Sequence, residues 1–322
     1  MAIFRFWIVA LVLLASIPAM GARRAPVLEE ILEEVRASYN KQERPMVIFD
    51  VDGTLLDNRT RIQKILVEYA EAELKKARPD EAKKIREIQL DAIEYRVADT
   101  LKGIGIDDSG IINNAMVFWG ERFFTDAYLG YDVPTAGAVD FVRTLYSSGA
   151  KIVYLTGRDT ERQLLGTVRA LREHGFPIGI QGTELIMKPT PQTQNAMFKQ
   201  RVTNYLRHYG KVVATFDNEP GNINVYRRAF GKALCVLFKA KHSADAPPLL
   251  PNITELKSFE KIPEPEPIQV VQKPVDVSAA VEVPQTDEAP EPAAPKAADT
   301  TPVATEEVVE EPEPKEEDPL AP

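Results

Sequence analysis

The chain has 322 residues, enough for more than one domain, and its single cysteine, Cys235, excludes a disulfide within one copy. Its formal net charge of −9 is concentrated at one end: residues 262–322 hold 13 of the 25 prolines, 16 acidic residues and 3 basic ones, a net of −13. Residues 1–261 therefore carry about +4, which suits an anionic substrate and is too weak a bias to imply nucleic acid.

In chain order, residues 1–25 contain Arg5, an apolar run of about fourteen residues, then Pro18 and small residues. Such a run is short for a membrane span and predicts a signal peptide cleaved near Ala19 to Ala22. Arg23 and Arg24 lie just past that cut, where positive charge resists translocation, so an uncleaved membrane anchor is the alternative. The expected location is periplasmic or secreted, or membrane-anchored through this segment.

Leu28, Ile31, Leu32, Val35 and Tyr39 have the spacing of an amphipathic helix over 27–43. Met46 to Phe49 form an unbroken apolar strand, as in a sheet covered on both faces, ending at Asp50. Residues 60–128 follow a helical pattern without an obvious strand: one helix stops before Pro79, a second covers 80–101 and a third 109–129. Asp107-Asp108-Ser109 reads as a loop with a helix cap. From Pro134 strands and helices alternate: helices over 135–148, 160–174, 193–209 and 221–230, and strands over 151–156, 184–187, 211–216 and 232–238. That alternation predicts an α/β fold, a parallel Rossmann-like sheet with helices on both faces, whose ligands bind at the carboxyl ends of the strands.

Those ends carry the chemistry. Asp50 and Asp52 follow the first strand; Thr156, Gly157, Arg158 and Asp159 the second; Asp217, Asn218 and Glu219 a later one; Lys188 and Lys199 lie between. Two carboxylates at the end of a buried strand repel each other and lose hydration, so a cation or a reaction must justify them. An isolated Asp-x-Asp-Gly can be a turn or a calcium-loop fragment, but no Glu follows at the spacing such a loop needs. Asp159 is placed to cap the next helix. Arg158 is placed either to contact substrate or to brace the acidic loops. Cys235 reads as a buried strand residue, and His174, His208 and His242 lack metal-ligand spacing.

The sequence DVDGT, a strand ending in T-G-R, a lysine, and a strand ending in D-N-E resemble the haloacid dehalogenase superfamily of aspartate-based phosphohydrolases over about residues 46–240. DNRTR and FDNEPGN also loosely resemble its secreted acid phosphatases. The resemblance implies Asp50 as nucleophile, Asp52 as general acid/base, and Thr156 as a ligand of the phosphoryl oxygens with Gly157 and Arg158 beside it. It also implies a neutralising lysine and Mg²⁺ held by Asp50, the Asp52 carbonyl, Asp217 and Asn218, with Glu219 or Asn222 as alternatives to Asn218. Relatives with the lysine in a helix favour Lys199, leaving Lys188 for substrate or a solvated edge. Residues 59–129 resemble the family's cap, inserted into a core of 26–58 and 130–261. Phe118, Trp119, Phe123, Phe124 and Tyr128 have the spacing of cap core, with a substrate-pocket role as the alternative.

The function expected is a Mg²⁺-dependent phosphomonoesterase acting on a phosphorylated small molecule, with no nucleic-acid partner. Retention of Asp50, Asp52 and Asp217 weighs against a non-catalytic scaffold, and the weak charge of the body against a polynucleotide 3′-phosphatase. Residues 262–322, rich in Pro and Glu, read as a disordered spacer or a partner-binding tail.

Overall fold

The structure, a computed structural model, describes residues 24–261; the expected tail lies outside the described residues, as does all but Arg24 and Ala25 of the expected signal or anchor segment. Among the described residues no helix is long and apolar enough to cross a membrane.

At the centre is β1 (Pro45–Phe49), every residue of which is buried. It pairs in parallel with β4 (Lys151–Asp159) on one side and β6 (Lys211–Asp217) on the other. With β5 (Thr183–Lys188), β7 (Leu234–Phe238) and β8 (Ile253–Leu256) they form a six-stranded sheet in the order β5-β4-β1-β6-β7-β8, every pair parallel. Side chains of a strand alternate between faces, and β1 divides accordingly. Val47 and Phe49 join the cluster under α1 (Pro26–Asn40), α6 (Ala138–Ser147) and α7 (Thr160–Glu173). Met46 and Ile48 join the one under α8 (Asn195–Leu206) and α9 (Pro220–Ala229). Phe49 stacks on Phe216 at 4.7 Å between centroids, which ties β1 to β6 one residue below the acids. Cys235 is buried in β7.

The helical insert leaves and rejoins the core through a short antiparallel pair, β2 (Leu56–Asp57) and β3 (Val133–Pro134). It contains α2 (Arg59–Tyr69), continued by a π-helical turn over Ala70–Leu74, then α3 (Pro79–Arg86), α4 (Val97–Gly103) and α5 (Ser109–Phe123), which Asp108 caps. Leu66, Tyr69, Ile85, Leu101, Ile112 and their neighbours form an apolar cluster that shares no residue with those on the sheet.

Three expectations need correction. The helix expected over 80–101 is two, α3 and α4, separated by a ten-residue stretch, residues 87–96, that holds one 3₁₀ turn over Leu90–Ala92. Ile88 and Ile93, both buried, would lie about 140° apart on one helix. The break lets both enter the cap core, and Gln63 Nε2 donates to the freed Ile88 carbonyl at 2.7 Å. The third helix ends at Phe123 rather than 129. The series of strands does not close at 238, because β8 adds an edge strand beyond the proline-rich stretch at 247–251.

Gly137, at the N-terminus of α6, has φ +76°, and an added Cβ would lie 2.4 Å from the backbone of Phe259 and Glu260. Gly137→Ala is expected to destabilise the full chain by at least about 2 kcal/mol through backbone strain and this collision. Urea denaturation measures it; a midpoint unchanged from wild type would show that the segment after β8 does not pack here.

Candidate active site

β1 delivers Asp50 to the sheet edge, where its N–H donates to the Phe216 carbonyl at 2.9 Å. Asp217 is the last residue of the neighbouring β6, so the two carboxylates stand on the same edge. After Asp50 the chain turns: the Val51 carbonyl accepts from Leu55 and Leu56, and the Gly53 N–H donates to the Leu56 carbonyl. Gly53 has φ +72°, and a Cβ there would lie 2.7 Å from Asn218 Nδ2, so both backbone and space demand glycine.

Lys199, 1% exposed on α8, joins the two acids. Its Nζ donates to Asp50 Oδ1 at 2.7 Å and to Asp217 Oδ2 at 2.6 Å. Burial opposes its charge, but Asp217 and Asp50 together hold the ammonium well above the usual lysine range. The converse holds at Asp50. Burial lifts its pKa to about 7, Lys199 opposes that rise, and the nearby Asp217 adds to it. One ammonium is thus too little positive charge for two buried carboxylates.

Lys188 does not join this group. It ends β5 in register with Asp159, and its Nζ lies 3.4 Å from the Pro191 carbonyl, away from the cleft. Burial lowers its pKa, against the attraction of Asp159. Of the two lysines considered, Lys199 is the one on the acids.

At the final cluster, Asp217 Oδ1 accepts from the Glu219 N–H at 2.9 Å and Asn222 Nδ2 at 3.1 Å, so Asn222 braces Asp217. Glu219 turns its carboxylate to Ser243. Asn218 donates its amide to the Lys241 carbonyl at 2.9 Å, leaving Oδ1 as the atom it can offer a ligand. Among the described residues no three His, Cys, Asp or Glu side chains converge as a ready metal cage. Thr156 is fully buried, and its Oγ1 accepts the Arg158 N–H at 3.2 Å; Gly157 and Arg158 line the cleft beside it. Asp159 caps α7 by accepting the Arg162 N–H.

Of the two roles considered for Arg158, the contacts it makes are those of a brace, and it also lines the cleft. Its Nε and Nη2 grip Asp52 at 2.7 and 2.9 Å, and Nη2 also reaches Asp132 at 2.6 Å. A second buried arginine, Arg61, donates to Asp52 Oδ1 at 2.6 Å. Although burial works the other way, Arg158 and Arg61 hold the Asp52 carboxyl below the usual carboxylate range. Sequence reasoning passed over Arg61 and Asp132. A charged residue beside Ile62 on the apolar side of a helix was the available signal for Arg61; Asp132, in an irregular linker, carried none.

A cavity of about 320 Å³ lies over Asp50, Asp52 and Lys199. The insert roofs it with Ile62, Tyr95, Trp119, Phe123 and Phe124. The cap aromatics are therefore shared: Phe118, Trp119 and Phe123 pack on the cap cluster, while Trp119, Phe123 and Phe124 also face the cleft, and Tyr128 donates to Glu68 instead. Ion pairs of Lys241 with Glu94 at 2.7 Å and Arg96 with Asp245 at 3.0 Å hold the roof against the loop after β7.

The parallel sheet with helices on both faces, and the gathering of Asp50, Lys199 and Asp217 at one edge, agree with the α/β fold expected from the sequence. No protein-family model and no curated protein matches the sequence. Among solved structures, the chain is similar to a haloacid dehalogenase-like family hydrolase from Streptococcus pneumoniae, with 16% identity, a TM-score of 0.43, and coverage of 67% of this chain and 95% of the other. It is similar to protein tyrosine kinase A of Mycobacterium tuberculosis, with 17% identity, a TM-score of 0.43, and coverage of 67% and 94%. It is also similar to a predicted phosphatase from Clostridium acetobutylicum, with 13% identity, a TM-score of 0.40, and coverage of 63% and 88%.

Proposed function

We propose that the protein is a phosphomonoesterase that works through a phosphorylated Asp50. The observation that carries this reading is the buried trio of Asp50, Lys199 and Asp217 at the end of the central strand, beneath a covered cleft. In the first half-reaction an Asp50 oxygen attacks phosphorus, forming an acyl-phosphate bond while the ester bond breaks. Asp52, once its contacts with Arg61 and Arg158 slacken and it takes up a proton, gives that proton to the departing alkoxide. In the second, Asp52 takes a proton from water as the water oxygen attacks phosphorus, releasing inorganic phosphate and regenerating Asp50. Lys199 offsets charge on the transferring oxygens, and the Thr156 to Arg158 turn flanks them.

Mg²⁺ fits this site. The donors are oxygens, positive charge is in deficit, and Mg²⁺ keeps several waters, so two carboxylates and a backbone carbonyl can hold it. Asp50, Asp217 and the Asp52 carbonyl would do so, with Asn218 Oδ1 or a water completing the set. When bound it would supply the charge that lets Asp50 remain ionised and would neutralise the phosphoryl group.

The helical roof and small cavity support a small-molecule ester over a macromolecule, since a cap that closes over substrate excludes water and selects the leaving group. The N-terminal apolar run supports export to the periplasm, or anchoring on that side of the membrane. Recovery of the full chain from the cytosolic fraction at its unprocessed mass would contradict that placement.

The activity is tested by phosphate release from a panel of phosphomonoesters, with Mg²⁺ and with EDTA. Turnover is expected to need the metal, to vanish in Asp50→Asn, and to fall at least about 100-fold in Lys199→Ala. Lys188→Ala should stay within about threefold of wild type, as for a lysine outside the site. A folded wild type that releases no phosphate from any ester would sink the reading; a large loss in Lys188→Ala with little in Lys199→Ala would reassign the lysine.

A further inference from the structure

Asp52 belongs to a four-membered charge cluster, and the proposed reaction accounts for only part of it. Asp52 and Arg158 face the cleft; Arg61 and Asp132 do not. Asp132 has no exposed side-chain surface, and each of its oxygens meets a different arginine. Oδ1 lies 3.0 Å from Arg61 Nε, an ion-pair contact, and Oδ2 accepts from Arg158 Nη2 at 2.6 Å. Both guanidiniums then converge on Asp52 Oδ1, at 2.6 Å from Arg61 and 2.9 Å from Arg158. Two acids and two bases offset one another's desolvation, which is how such a group persists in the interior.

The elements that supply the four members give the cluster its meaning. Arg61 lies in the first turn of α2, on the outgoing link to the cap, and Asp132 on the return link just before β3. Arg61 is also fixed by the cap itself: its Nη1 donates to the Phe123 carbonyl at 3.0 Å and its guanidinium sits 3.8 Å over the Phe123 ring. The core holds the other side, through Arg158 at the end of β4 and through His174 Nε2, 2.9 Å from the Asp132 carbonyl. Any tilt of the cap must move Arg61 relative to Asp132 and Arg158, and so must change the grip on Asp52.

We propose that Arg61 and Asp132 are positioning residues that couple the cap to Asp52, setting the direction of the carboxyl that serves the leaving group. With the cap as seen, three guanidinium nitrogens occupy both oxygens of Asp52. Substrate entering beneath the roof loosens the Arg61 contact, leaving Oδ1 to the longer bonds from Arg158 and Asn58 at 2.9 and 3.4 Å, so that the carboxyl can turn toward the ester.

This rests on the phosphatase reading, and the test separates the two. The full-length wild type, Asp132→Asn and Arg61→Lys are compared on p-nitrophenyl phosphate, whose leaving group departs without a proton, and on the best alkyl phosphate of the panel, whose leaving group requires one. Both variants are expected to raise the aryl-to-alkyl ratio of kcat/KM by at least about tenfold, in the direction given by Asp52→Asn. Arg61→Lys keeps the charge and so keeps the test available if Asp132→Asn fails to fold. Parallel losses on both esters, or an unchanged ratio, would assign Arg61 and Asp132 to the scaffold alone and overturn the proposal while leaving the phosphatase reading intact. A folded wild type inactive on both esters would overturn that reading, and this proposal with it.

Discussion

The ammonium of Lys199, held between Asp50 and Asp217, is the contact on which the arrangement of the site depends. Two carboxylates at adjacent ends of parallel strands cannot both be buried and ionised without a cation between them, and α8 supplies one at 2.7 and 2.6 Å. Removing a partner from such a group costs about 3–5 kcal/mol, because it strands a buried charge. The compensation is nevertheless incomplete: burial, with Asp217 beside it, pushes the Asp50 carboxyl up against the pull of Lys199. Under the proposed reaction, a site short of positive charge with Asp50 at its centre is prepared for a ligand that brings cation and phosphoryl group together. The sheet serves this end: the central position of β1, buried on both faces, fixes where Asp50 stands relative to Asp217.

The second charge cluster answers a different problem. The cap has its own apolar core and joins the rest of the chain through two links, so its position is set by a few contacts at its base and rim. At the base, Arg61 and Asp132 tie both links to Asp52 and Arg158. At the rim the Lys241–Glu94 and Arg96–Asp245 pairs are exposed and weak by comparison. On the proposed reading a substrate parts the rim while the base acts as the pivot, and the pivot contains Asp52, the side chain whose hydrogen bonds then change.

Much of this was legible in the sequence, for identifiable reasons. Alternating strands and helices force a parallel sheet, a parallel sheet gathers its strand ends, and the residues at those ends are therefore neighbours: hence Asp50, Asp52, Thr156 and Asp217. Lys199 and Lys188 could not be separated so simply. Both are compatible with the local pattern, and only the docking of α8, with Phe198 and Val202 against the sheet, turns Lys199 inward. The break at Ile88 to Ile93 was hidden because each isoleucine fits a helix taken alone, and β8 because it is short and follows a proline-rich stretch. The cap aromatics misled in one respect. Helical spacing reports which residues share a face and is silent on whether that face meets a core or a cleft; here it meets both. Arg61 and Asp132 become partners only when the cap returns to the core, a long-range pairing without a local trace.

The central claim is that Asp50 itself carries the phosphoryl group between the two half-reactions. The direct measurement is rapid acid quenching of the full chain turning over a phosphomonoester with Mg²⁺, followed by mass analysis of its peptides. The account predicts one phosphoryl group on the peptide containing Asp50, absent from Asp50→Asn and accumulating when Asp52→Asn slows the attack of water. Turnover with no phosphorylated peptide, or with the phosphoryl group on another residue, would contradict it.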